Sequence, residues 1–383
     1  MRYLRRSDFS AARLIVEIVV ASIGIALLVC AIAANQAWLD RHFLPSFLIS
    51  REWYVRLETL VRLLMGAAGV LLVVVVRPRV GRFAMRAPAR VLHIAIAVVL
   101  ALAASEPALR HMRLQPNEWL FADEEPRRQP DPRLGWTFVP SRTGHSTMGG
   151  RDIEYAFDAA GYRVRRVDEP VDPERPTIVF TGESLMFGEG LTWEESVPAQ
   201  VGAMMGVQSA NLAVHGFATD QAYLRLQTEL PRFRQPLAVI SLFMTALFGR
   251  NLDSERPHLG PGLVWLPPVK RWRLQSLVRR FLFYHSEEVI DRGVDVTREV
   301  LRASVELARA RGAIPLILVP QYGHEDEPEL SLRRRIFDEN VALPYALVEI
   351  DPAWHLPWDR HPDARAARVL AAAVAARLKA RHD

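Results

Sequence analysis

Three apolar runs dominate the first hundred residues. Leu14–Ala34, LIVEIVVASIGIALLVCAIAA, has the length that crosses a hydrocarbon core of about 30 Å. Leu60–Val76, LVRLLMGAAGVLLVVVV, and the shorter Val91–Ala104, VLHIAIAVVLALAA, follow it. From residue 176 the pattern changes, and short apolar runs alternate with longer stretches of helical period. The runs Thr177–Gly182, Val207–Leu212, Leu237–Phe243, Ile314–Val319 and Ala346–Ile350 predict strands. Val197–Met205, Asp220–Leu230, Arg273–Ile290, Val296–Arg311, Leu332–Val341 and Pro362–Arg381 predict helices. Such alternation implies an α/β domain with parallel pairing and helices on both faces of the sheet. The expected organisation is a membrane region over 1–105, a linker with lead-in strands over 106–175, and the α/β domain over 176–383. Within the linker, EEPRRQPDPRLGW reads as extended chain, and RDIEYAFDAAGYRVRR as a strand or hairpin. The proline-rich insertion from Gly249 to Lys270 interrupts the rhythm as a long loop of the kind that serves as a lid, contacts substrate or stays disordered.

Charge gives the membrane region a direction. Arg2, Arg5, Arg6 and Arg13 precede the first run, and Arg77, Arg79, Arg82, Arg86 and Arg90 separate the second from the third without an acidic residue. The stretch between the first two runs is balanced, with Asp40, Arg41, Arg51, Glu52, Arg56 and Glu58. By the positive-inside rule the N-terminus and the Arg77–Arg90 loop are cytoplasmic, and three crossings leave everything after about residue 105 outside. Trp38, Trp53 and Tyr54 suit an interfacial belt on the outer face. The first run is too long for a cleaved signal peptide, and two more follow it. Glu17, Arg62 and His93 fall near the ends of the runs and read as snorkelling side chains. The bilayer is thus one expected partner, and a transporter or sensor would need more polar residues within the spans.

Half of the residues are hydrophobic, which the three runs explain. The pI of 9.6 has an equally local origin, because nine arginines form the two juxtamembrane clusters. Nucleic acid is therefore not an expected partner. The single cysteine, Cys30, lies inside the first run, so neither an intrachain disulfide nor a cysteine-rich metal site is possible. No metal or cofactor is expected, and nothing in the sequence sets an oligomeric state.

The candidate chemistry begins in IVFTGESLMFGEG, Ile178–Gly190. Ser184 lies just past the end of an apolar strand, where open α/β sheets place their ligands. A serine needs a base, usually histidine, and the base needs a third group to fix its tautomer. Among eleven histidines, His361 stands out, two residues after Asp359 and one before a proline at a helix start. The pair follows the last predicted strand, and so lies on the same sheet edge as Ser184. Asp351 with His355 is a rival pair of less suitable spacing; His215, His258, His324 and His355 read as structural or solvent-facing, and Arg250 as solvated. The Gly-x-Ser-x-Gly elbow is absent, since Met186 occupies its final position.

From Ile178 to about Ala380 the chain resembles the SGNH hydrolases, or GDSL-type esterases. GESLMFGEG is similar to that family's first block, with Glu183 where aspartate is usual; NLAVHGFATDQAYLRL resembles the second and DRHP the last, with Asp-x-His spacing. YAFDAAGYRVRR is similar to the lead-in of envelope members. The resemblance implies a three-layer α/β/α flavodoxin-like domain, and a triad of Ser184, His361 and Asp359. It also implies an oxyanion site from the Ser184 and Gly216 N–H groups. The third block departs: in VISLFMTALFGRNL, Thr245 and Ala246 stand where Asn and Asp belong, so Thr245 offers a shorter hydroxyl and Asn251 lies a few residues on. The implied activity is esterase or acyltransferase work, through an acyl-serine, on an O-acylated envelope glycan or lipid outside a bacterial inner membrane. A catalytically inactive domain that binds glycan or a partner in an envelope assembly is the rival.

Overall fold

The computed structural model describes residues 4–47, 49–112, 120, 124–281, 285–337, 343–357 and 359–380. Contacts divide the chain into two units. The first takes its described residues from 1–43, 49–114 and 272–284. Its helices are α1 (Leu4–Ala33), α2 (Gln36–His42), α3 (Arg51–Val70), α4 (Arg77–Arg86) and α5 (Pro88–Leu109). Residues 71–76 continue α3 into α4 as a π-helix, so 51–86 forms one 36-residue apolar helix. With 13–33 and 88–112 it makes three helices long and apolar enough to cross a membrane.

The second span therefore begins and ends beyond the expected 60–76. At 1.5 Å per residue its 36 residues exceed the roughly 30 Å of a bilayer core, and Arg77, Arg79, Arg82 and Arg86 fall in its last third. The expected Arg77–Arg90 loop contracts to a break at Ala87, followed by Pro88 at the start of α5. Small residues bring α1 and α3 together: a Cβ on Gly69 would sit 2.8 Å from the Gly24 carbonyl. Two of the three ionisable groups have partners. Arg62 Nε donates to the Ala31 carbonyl at 2.9 Å and pairs with Glu58, and Glu17 is held by Arg13 and Arg77.

The second unit comprises the described residues within 44–48, 115–271 and 285–383. It opens with an antiparallel hairpin, β1 (Arg128–Asp131) and β2 (Gly135–Phe138), where an extended linker is predicted. Next come β3 (Arg142–Met148), β4 (Arg151–Phe157) and β5 (Arg163–Val164). Then follow β6 (Thr177–Thr181), α6 (Ser184–Phe187), α7 (Val197–Met205), β7 (Gln208–Asn211), α8 (Thr219–Glu229) and β8 (Pro236–Leu242). The Gly249–Lys270 stretch is ordered, with a 3-10 segment over 245–252 and the ribbon β9 (His258–Gly260) and β10 (Val264–Leu266). Helix α9 (Arg273–Phe281) belongs to the first unit. The chain ends with α10 (Glu287–Ala310), β11 (Ile314–Tyr322), α11 (Glu327–Ile336), β12 (Tyr345–Ile350) and α12 (Ala364–Lys379).

The eight-stranded sheet runs β12-β11-β8-β6-β7-β5-β4-β3. Its five C-terminal strands are parallel, in the flavodoxin-like order 2-1-3-4-5 counted from β6. β5, β4 and β3 extend the sheet antiparallel beyond β7. Residues 142–164 are therefore part of the same sheet, and the α/β unit begins well before the expected boundary at 176. β6 is buried at all five positions, as its uninterrupted apolar run requires of a central strand covered on both faces. The helix predicted over 296–311 begins earlier and that over 273–290 is two helices, with 282–284 outside the described residues. The end of the predicted 332–341 helix likewise lies outside the described residues, as does Arg381.

Candidate active site

The sheet brings four loops to one edge. Ser184 follows β6, Gly216 follows β7, Thr245 follows β8, and Asp359 and His361 follow β12, all beyond carboxyl ends of parallel strands. β6 and β8 adjoin at the point where the strand order reverses, the place an open α/β sheet offers a ligand.

Backbone sterics set the nucleophile turn. Gly182 has φ +154°, and a Cβ there would lie 2.6 Å from the Leu242 Cβ, so only glycine passes β8 this closely. α6 then starts at Ser184, which is 2 % exposed. Phe187, on the same turn, stacks against Phe138 at 4.7 Å and Tyr155 at 5.3 Å, side chains supplied by the lead-in strands. Arg163, from β5, donates to the carbonyls of Phe187, Gly188 and Leu191 at 2.6–2.7 Å. The loop that presents Ser184 is thus fastened to the antiparallel half of the sheet.

His361 Nε2 lies 2.8 Å from Ser184 Oγ, and its Nδ1 lies 2.5 Å from Asp359 Oδ1. The same Oδ1 accepts the His361 backbone N–H at 2.7 Å. The two-residue spacing therefore lets one carboxylate oxygen hold both ring and backbone of the histidine. Burial alone would push the His361 imidazole down, but the Asp359 hydrogen bond and the Glu189, Asp359 and Glu183 charges hold it above its ordinary value. The hydrogen bond from His361 holds the Asp359 carboxyl below its usual range, against partial burial.

Glu183 adds a competitor. Its Oε2 lies 2.5 Å from Ser184 Oγ and 3.3 Å from Arg250 Nη1, while its Oε1 accepts the Leu185 N–H at 3.3 Å. Ser184 has one hydroxyl proton and can donate it to Glu183 or to His361, not both. With His361 protonated, Nε2–H donates to Oγ and the hydroxyl turns to Glu183. With His361 neutral, Nε2 accepts the hydroxyl proton and the serine is poised as a nucleophile.

The Gly216 peptide is pinned on both sides. The preceding carbonyl, of His215, accepts Trp136 Nε1–H at 2.9 Å, and the Gly216 carbonyl accepts Arg256 Nη1–H at 2.5 Å. Gly216 has φ +77°, and a Cβ would meet the Trp136 ring at 3.3 Å. Among the described residues no acceptor takes the Ser184 or Gly216 N–H. Thr245 is 1 % exposed, and its Oγ1 has no hydrogen-bond partner among the described residues. Asn251 does not stand in for the absent asparagine, because its amide is spent on Thr219 and Thr297.

The rival pair does not form: Asp351 caps Ala353 N–H, and His355 Nδ1 lies against the carbonyls of Leu356 and Asp359. Three groups at the site were read from sequence as bland or not at all. His215 is at the site, not a remote structural histidine; its Nδ1 bonds Glu189 Oε2, and its ring centroid is 6.4 Å from that of His361. Arg250 is paired with Glu183 rather than solvated, and burial pulls its guanidinium below the usual value despite that charge. Phe47 belongs to this unit, with its ring centroid 5.7 Å from His361 and its carbonyl accepting Arg360 Nη1–H at 3.0 Å. Glu189 and His215 each lie inside a stretch singled out from the sequence, GESLMFGEG and NLAVHGFATDQAYLRL, a signal that was there to read; Phe47 gave none.

No protein-family model matches the chain, and no curated protein matches it. Solved structures similar to part of the chain are found at low identity. One, described as a putative lipolytic protein of the G-D-S-L family from Desulfitobacterium hafniense, is 13% identical, covers 53% of this chain and 98% of its own, and has a TM-score of 0.35. A carbohydrate esterase, whose active site is described as having divergent catalytic and non-catalytic binding functions, is 11% identical over 55% of this chain and 67% of its own, with a TM-score of 0.36. An acetyl xylan esterase from the rumen bacterium Butyrivibrio proteoclasticus is 11% identical over 56% of this chain and 66% of its own, with a TM-score of 0.34. At these scores the assignment of chemistry rests on the side chains.

Proposed function

We propose that the second unit is an SGNH-type serine esterase anchored by the apolar helices, acting on O-acyl esters of an envelope glycan or lipid. One observation carries the chemistry: the unbroken hydrogen-bonded chain Asp359–His361–Ser184, aligned for proton transfer.

His361 Nε2 takes the Ser184 proton as Oγ attacks the ester carbonyl carbon. The carbonyl π electrons move to oxygen, and the N–H groups of Ser184 and Gly216, with the Thr245 hydroxyl, receive that oxyanion. Collapse breaks the bond to the alcohol, which leaves with the proton from His361 and an acyl-serine behind it. Water, deprotonated in turn by His361, attacks the acyl carbon, and collapse returns the proton to Ser184. A glycan hydroxyl in place of water gives acyl transfer with the same bonds made and broken. Asp359 stays ionised throughout and holds the imidazolium.

The substrate class is supported by the apolar helices and by the resemblance to envelope members. In this reading residues 44–47 lie outside with the rest of the second unit, and the chain crosses the bilayer twice between 49 and 114. The two apolar helices 51–86 and 88–112 fit such a pair of crossings. The test incubates the detergent-solubilised protein with an O-acetylated polysaccharide and follows acetate release and acetyl transfer to added glycan by mass spectrometry. Release or transfer that disappears in Ser184→Ala is expected. A folded wild type that does neither, on glycan or on a simple aryl acetate, contradicts the proposal.

A further inference from the structure

Glu189 carries a charge that the mechanism above does not use. Its side chain is only 11 % exposed, a setting in which an ionised carboxylate needs partners. His215 Nδ1 is bonded to Glu189 Oε2. The same Oε2 lies 4.0 Å from His361 Nε2, the atom that receives the Ser184 proton. One carboxylate oxygen thus faces two imidazoles, and it does so on the opposite ring nitrogen from Asp359. The neighbouring turn is held in place: Gly190 N–H donates to the Tyr155 hydroxyl at 2.7 Å, and Gly190 has φ +71° with no room for a Cβ beside Leu356.

We propose that Glu189 is a positioning residue of the catalytic centre, its carboxylate oriented by His215 to supply a second negative charge to the His361 imidazolium formed when Ser184 is deprotonated. This rests on the esterase reading of the same site. The charge sits within the roughly 4–6 Å over which an opposite charge favours the ionised form of a group. His215 matters because a buried carboxylate without a donor would take up a proton and lose that effect.

Other charged and titratable groups surround the pair. Glu183 and Ser184 face His361 from the nucleophile turn, and Asp359 from its own segment. Tyr155 from β4, Arg163 from β5, Tyr322 from β11 and Arg250 from the 245–252 segment complete the surroundings. Both arginines feel the Glu189 charge, but their hydrogen bonds go elsewhere, Arg163 to three carbonyls and Arg250 to Glu183, so the Glu189 contact at Oε2 is with the imidazoles.

The experiment is the rate of fluorophosphonate labelling of the full-length, detergent-solubilised protein as a function of pH, for wild type, Glu189→Gln, Glu189→Ala and Glu189→Asp. Removing the charge makes His361 a weaker base. The neutral variants should therefore show an acid limb moved to lower pH by about one unit, with a plateau rate about tenfold lower. Glu189→Asp keeps the charge and should keep the limb near its wild-type position. A purely structural role for Glu189 predicts slower labelling with the limb unmoved, and that result overturns the proposal. The alanine variant carries the test if the glutamine variant does not fold. A wild type that labels at no pH defeats the esterase reading itself, a failure distinct from an unmoved limb in a protein that labels.

Discussion

Arg163 Nη1 donates to the Phe187 carbonyl at 2.7 Å, joining the antiparallel edge of the sheet to the turn that carries Ser184. Arg163 is 1 % exposed, and its guanidinium also satisfies the Gly188 and Leu191 carbonyls. Burial lowers its pKa to about 10, which leaves it charged at neutral pH. Arg163→Leu would leave the Leu191 carbonyl unpaired and remove one of two donors from the Phe187 and Gly188 carbonyls, which keep Asn211 Nδ2 and the Leu191 N–H. A loss of about 1–3 kcal/mol is expected in chemical denaturation, with labelling of Ser184 reduced in whatever folds. A loss under about 1 kcal/mol would mean that water or a shifted backbone satisfies those carbonyls.

Thr245 separates stability from function. Its hydroxyl is buried without a partner among the described residues, so Thr245→Val removes an unsatisfied polar group and should melt no lower than wild type. If that hydroxyl serves the oxyanion, ester turnover falls by about 100-fold or more. Unchanged turnover in the valine variant would assign Thr245 to packing alone.

The pH profile follows from the His361 surroundings. Because the carboxylates hold its imidazole above the ordinary value of about 6.5, the neutral base needed for attack is available only at higher pH. The acid limb of kcat/KM against an aryl acetate should therefore have its midpoint above that value. A midpoint below it would contradict the arrangement of Asp359, Glu183 and Glu189 around the ring.

Gly182→Ala tests the close approach of the nucleophile strand to β8. The added methyl would sit 2.6 Å from the Leu242 Cβ at φ +154°, and a clash there is relieved only by moving the backbone just before Ser184. A destabilisation of roughly 1–3 kcal/mol is expected, with activity lost out of proportion to the folded fraction. An alanine variant of wild-type activity would show that the turn has slack.

Local pattern carried most of the parallel sheet. β6 and β8 are short apolar runs bounded by polar turns, and β7, Gln208–Asn211, is marked only by Val207 and Leu212 on its flanks; the ends of all three fall within a residue of the predicted ones. Ser184, Asp359 and His361 were legible because each lies in a distinctive setting just past a strand. The antiparallel half was harder to read, because its strands are polar on one face and depend on partners distant in sequence: Arg163 pairs with Asn211, and Ala156 with Val164. The Glu183–Arg250 and Glu189–His215 pairs were hidden for the same reason, since loop closure rather than sequence spacing brings them together. Phe47 is the extreme case, reaching His361 from the far end of the chain.

The most direct measurement is labelling of the solubilised wild-type protein with a fluorophosphonate probe beside Ser184→Ala and His361→Ala. An activated serine predicts labelling of the wild type at Ser184, none in Ser184→Ala, and labelling slowed by orders of magnitude in His361→Ala. Absence of labelling in a correctly folded wild type, or labelling that persists in Ser184→Ala, would contradict the triad and favour a domain that binds without catalysing.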